Sequence, residues 1–102
     1  MRVEVLYFNG CPSYETLLPR LRELLVDVSA TIELRLVESP EAAERERFLG
    51  SPTVRVDGTD IDPAAEQRTD FGLKCRLYPS PDGLCGVPPH AWLVNALAGA
   101  CG

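Results

Sequence analysis

The sequence predicts a small α/β domain built on one mixed sheet, and three observations carry that prediction. Arg2–Phe8 (RVEVLYF) is rich in β-formers and apolar on both faces. The segment after Pro12 changes to helical spacing, and Thr31–Val37 returns to alternation. Strand, helix, strand in that order is the pattern of a parallel pair joined by a crossover helix.

Each element follows from local signals. Strand one is mostly apolar on both faces, so it is expected to be covered from both sides, and Asn9 and Gly10 break it. Leu17, Leu18, Leu21, Leu24, Leu25 and Val28 then recur at helical spacing, with Glu15, Arg20, Arg22, Glu23 and Asp27 between them. Pro19 lies inside this pattern, where its missing N–H bends or delays the first turns. In Thr31–Val37 (TIELRLV), Ile32, Leu34 and Leu36 share one face and Glu33 and Arg35 the other, which predicts a half-covered edge strand.

Ser39 followed by Pro40 is a helix start, a hydroxyl cap and then proline at the first helical position, with Gly50 as the expected stop. Thr53–Val56 is a short strand closed by the Asp57-Gly58 turn. Lys74–Tyr78 (KCRLY) is predicted as a further strand, on which Arg76 and Tyr78 face outward or toward a helix edge. The charged segment between these strands has little periodicity. Ala91–Ala98 (AWLVNALA), entered through Val87-Pro88-Pro89, reads as the closing helix, with Trp92, Leu93 and Leu97 inward. Phe8, Phe48, Phe71 and Trp92 are the expected aromatic core.

A chain of 102 residues, 45% of them hydrophobic, fits one domain over residues 1–102 with one continuous core. The formal charge of -5 and the scattered arginines give no basic stripe for nucleic acid. No run of residues is apolar enough to span a membrane, and MRVEV enters a strand pattern without a leader's apolar core, so a soluble cytoplasmic protein is expected. The four cysteines, at 11, 75, 85 and 101, are then expected as free thiols or a redox pair.

Cys11 is the main chemical signal. It follows strand one and stands at the amino end of helix one, where unpaired N–H groups and the positive helix end favour a thiolate. Pro12 suits the first helical position. The same geometry also suits a sulfur that caps the helix passively. Pro52, just before the third strand, either ends the preceding helix or holds a cis bond in a tight turn.

Together the strand-then-CPSY start, the SPTVRVDG segment and the closing helix resemble the thioredoxin-like fold, which implies a central mixed four-stranded sheet with three main helices. On that resemblance Cys11 matches the nucleophilic cysteine and Pro52 the cis-proline, with Ser51 beside it on the substrate-facing side. Pro12, Tyr14 and Ser51 are the expected substrate-positioning residues. More closely, FLGSPTVRVDG, FGLKCRLYP and GVPPHAWL resemble small bacterial thioredoxin-like proteins often labelled alkylmercury lyase, over nearly the whole chain. The resolving cysteine of thioredoxin would fall at position 14, which is Tyr14 here.

The expected activity is therefore monothiol thiol-disulfide exchange with a thiol or disulfide substrate, either small or a protein. Cys85, in a Gly-rich turn before the last helix, is the favoured second thiol. Cys75 reads equally as a buried small residue, or as a partner of Cys85 in a bridge closing the PSPDGL loop. The alternative is a non-enzymatic module that holds a soft metal such as mercury or copper, or a partner protein, through Cys11 and Cys85. No cofactor and no zinc site are expected, because close Cys pairs are missing and His90 is the sole histidine. Asp57, Asp60, Asp62 and Asp70 read as turn and loop acids, and Cys101 as a terminal thiol. A monomer and a homodimer are both open.

Overall fold

A computed structural model describes residues 2–9, 12–26, 30–62, 64–80 and 83–101. In chain order the elements are β1 (Arg2–Tyr7), α1 (Pro12–Leu24), β2 (Thr31–Leu36), α2 (Pro40–Arg45), β3 (Thr53–Val56) and β4 (Thr59–Asp60). A short 3-10 turn over Ala65–Gln67, the β5–β6 hairpin (Tyr78–Ser80 and Gly83–Cys85) and α3 (His90–Cys101) complete them. The main sheet is mixed and four-stranded, in the order β2-β1-β3-β4. β1 runs parallel to β2, with Val5 opposite Leu34, and antiparallel to β3, with Leu6 opposite Thr53.

Alternation along the central strands divides the core in two. Val3 and Val5 of β1 and Val54 and Val56 of β3 pack with Leu17, Leu21 and Leu25 and with Leu93 and Leu97 of α3. That face is covered by α1 and α3. Leu6 belongs to the opposite cluster, with Val37, Ala43 of α2 and Phe48. The two-sided cover expected for β1 is present: Val3 to Leu6 are all buried.

Glu4 is the polar member of that strand, and its buried carboxylate accepts from Arg35 Nη1 at 2.9 Å and Arg2 Nη2 at 3.3 Å. Pro19 falls within α1, yet the helix is continuous from Pro12 to Leu24. Val28 lies outside the described residues.

α2 begins as expected, with the Ser39 hydroxyl accepting the Ala42 amide at 3.1 Å, but it stops well before Gly50. The reason is a Schellman turn. Phe48 donates its amide to Ala43 O at 2.8 Å and Arg47 donates to Glu44 O at 3.2 Å, with Arg47 at φ 56. This turn swings Phe48 back onto Ala43 in the core. A non-glycine residue in that conformation costs about 1 kcal/mol; the guanidinium of Arg47 stacks over Phe71 at 5.3 Å.

Two further expectations are corrected. β2 is an edge strand, but Leu34 and Leu36 are 46% and 39% exposed; only Ile32 of its apolar row packs on the core. The partner of β3 is β4, which follows at once through the Asp57-Gly58 turn, where both residues have positive φ (49° and 88°). Lys74–Tyr78 is not a strand of the main sheet. Cys75 makes one parallel bridge with Ser51, and Tyr78 opens the β5–β6 hairpin.

Candidate functional site

The loop entering β3 is built around a close approach of two backbone segments. Gly50 has φ +124, and a Cβ there would lie 2.9 Å from Arg76 Cβ and 3.0 Å from the Arg76 Cα and N. Only glycine lets the chain pass so near. Ser51 then donates its amide to Lys74 O at 2.8 Å and accepts from Arg76 N at 2.9 Å, which lays Cys75 alongside it. The Ser51–Pro52 peptide bond is cis. The Pro52 carbonyl accepts the Tyr78 hydroxyl at 2.5 Å, and the Gly50 carbonyl accepts the Thr53 hydroxyl at 2.6 Å.

Arg76 holds this assembly from inside. It is 1% exposed, and its Nη1 and Nη2 make a two-pronged contact with the Asp60 carboxylate at 2.8 and 3.1 Å. Nη1 also reaches Thr53 Oγ1, and Nη2 reaches Asp62 Oδ2, each at 3.2 Å. Burial opposes the Arg76 charge most strongly, but its hydrogen bonds to Asp60 and Asp62 and the attraction of nearby negative charge outweigh it and raise the guanidinium pKa. Its Nε has no hydrogen-bond partner among the described residues.

The guanidinium lies 4.8 Å over the Tyr78 ring, which meets Trp92 of α3 edge-on at 6.0 Å. Burial pushes the Tyr78 phenol far above its ordinary value.

The residues singled out from sequence fall in different parts of the fold. Cys11 lies outside the described residues; α1 begins at the next position, Pro12. Pro12 and Tyr14 are in the first turn of that helix. Ser51 and Pro52 are both buried. Cys85 is in β6, where its backbone partner is Tyr78. Cys75 is an exposed free thiol, so neither the buried reading nor the bridge to Cys85 holds.

Arg76 and Tyr78 turn inward, while Leu77 between them is 57% exposed; of the two placements expected, outward is excluded, and Tyr78 faces Trp92 of α3. Asp60 and Asp62 are not simply loop acids: they are the counter-ions of Arg76. No local sequence signal announces this, because the carboxylate partners of Arg76 lie 14 and 16 residues away.

Among the described residues no three His, Cys, Asp or Glu side chains gather as a metal site would require, and His90 is exposed at the start of α3. No described helix is long and apolar enough to cross a membrane. A cavity of about 480 Å³ opens between the β3–β4 turn and α3, lined by Val56, Asp57, Ile61, Trp92 and Asn95 among others. Among the described residues, neither Cys75 nor Pro52 lines it. The chain matches no family model, no curated protein and no solved structure.

Proposed function

We propose that this chain is a thioredoxin-like protein that carries out thiol-disulfide exchange through Cys11. The observation that supports this reading best is topological. A parallel β1–α1–β2 unit, whose helix starts at the residue after Cys11, is joined to an antiparallel β3 entered through Ser51-Pro52. Leu6 pairs with Thr53, so the end of β1 that leads toward Cys11 borders the end of β3 that follows Pro52.

In this reading the α1 amino terminus, with its unpaired N–H groups, favours the Cys11 thiolate, which attacks one sulfur of a disulfide and releases the other as a thiolate. Pro12, Tyr14 and Pro52 border the substrate. Ser51 contributes by fixing the Pro52 loop, since it is enclosed and both its backbone groups are engaged.

Turnover of a small mixed disulfide by the wild type and by Cys11→Ser tests the reading. Loss of at least about tenfold in the variant is expected, because the other thiols lack a helix start to favour their anion. Equal rates contradict it.

A further inference from the structure

The two edges of the main sheet are finished differently. β4 is two residues long, too short to offer a row of free backbone groups. β2, at the other edge, is regular over all six residues of Thr31–Leu36, and no described strand pairs with its outer side. It has no proline, no lysine and no bulge to blunt it: its register with β1 runs unbroken from Thr31 opposite Arg2 to Leu36 opposite Tyr7.

Backbone direction alternates along this strand. Val37 donates its amide to Tyr7 O at 2.8 Å, which turns its backbone groups, and by alternation those of Arg35 and Glu33, toward β1. Those of Ile32, Leu34 and Leu36 point away from the sheet. Ile32 is opposite Val3 and Leu34 opposite Val5, so this apolar row lies on the face covered by α1 and α3, where Leu34 and Leu36 stay exposed beyond the core. Glu33 and Arg35 lie on the other face. Arg35 Nη1 donates to Glu4 Oε2 at 2.9 Å and Nη2 to Glu46 Oε1 at 3.0 Å, whereas Glu33 is exposed and has no partner among the described residues.

We propose that β2 is a homodimer interface, on which the same strand of a second copy pairs antiparallel about a two-fold axis at Leu34. In this register Leu34 meets its own copy, Ile32 meets Leu36 and Glu33 meets Arg35 of the second copy. The pairs made by Ile32, Leu34 and Leu36 exchange their outward backbone groups as hydrogen bonds, and their side chains form one apolar row across the axis. Glu33 and Arg35 fall at the pairs without backbone bonds, where opposed side chains approach most closely. The strand is thus its own complement in backbone, apolar row and charge.

Other registers lose one of these. Moving the axis by one residue, to Glu33 or Arg35, sets like charges face to face. Moving it by two carries at least half of the strand past the end of its partner, and an axis between residues opposes outward groups to inward ones. The interface is independent of the exchange reading, since β1 separates β2 from β3 and its Pro52 loop.

The test is the mass of the full chain in solution against concentration, by sedimentation equilibrium. One strand pair is smaller than a standard interface of about 1,600 Å², so the wild type is expected to pass from one chain mass to two over roughly 10–100 μM. Glu33→Arg opposes arginine to Arg35 on both sides of the axis, and Leu34→Lys brings two ammonium groups together at it. Each is expected to weaken association at least about tenfold. Both positions are exposed, so the variants retain the fold, which their thermal unfolding verifies.

Hydrogen exchange of the wild type reads the register without any variant. From dilute to concentrated protein the amides of Ile32, Leu34 and Leu36 are expected to gain protection, while those of Glu33 and Arg35, already turned to β1, do not change. A single chain mass at every concentration up to about 1 mM overturns the interface. So does association that neither substitution weakens, or protection that rises equally at Glu33 and Arg35.

Discussion

Arg76 is the residue on which the loop before β3 depends most. A guanidinium with this little exposure is tolerable only because Asp60 meets it with both oxygens and Asp62 and Thr53 take its remaining reach. Removing the cation strands two carboxylates beside an emptied core site. Arg76→Met should therefore lose about 3–5 kcal/mol in urea unfolding, and Arg76→Lys should recover only part, because an ammonium cannot reproduce the fork.

Tyr78 gives a pH signature. Its folded pKa lies above the unfolded value of 10.0, so the neutral phenol stabilises the fold fully below pH 10 and that contribution falls as pH rises further. The slope is about 1.4 kcal/mol per pH unit for one such group. Tyr78→Phe should remove this component of alkaline destabilisation in a stability-against-pH series; an unchanged slope would contradict the burial argued for the hydroxyl. Neither residue was legible as buried from sequence. The partners of Arg76 are 14 and 16 residues away, beyond any local pattern, and alternation alone assigns Leu77 to the inside.

At the scale of elements, the close crossing at Gly50 joins α2, β3 and the Cys75 segment. Gly50→Ala meets two obstacles, a positive φ and a Cβ within 3.0 Å of the Arg76 backbone. A loss of more than about 2 kcal/mol is expected, together with faster hydrogen exchange at the Ser51 and Arg76 amides that bridge the two segments. Wild-type exchange at both amides would contradict the crossing.

The strands and helices that hydrophobic periodicity reveals are the ones formed by contiguous sequence: β1, α1, β2, β3 and α3. The misread elements are those decided by distant contacts. α2 is cut short because Phe48 must reach Ala43, a demand that its helical-looking sequence does not express. β4 is two residues long, too short for any periodicity, and is set by the Asp57-Gly58 turn.

For the molecule as a whole, the α/β layering, with β1 covered on both faces and α1 lying on the sheet, was legible in the sequence, whereas the division that puts α1 and α3 on one face and α2 on the other is seen only in the structure. The candidate site was legible in part. Cys11, Pro12 and Pro52 stand out by residue type next to element boundaries, whereas the association of Cys75 with Ser51 depends on a return of the chain over more than twenty residues. The functional account rests on a thiolate favoured by the first turn of α1. The rate of Cys11 alkylation against pH, followed peptide by peptide with Cys101 as the internal reference, tests it most directly. The account predicts a midpoint at least about one unit below the ordinary thiol value near 8.5, with Cys101 close to that value; a Cys11 profile that coincides with that of Cys101 would contradict it.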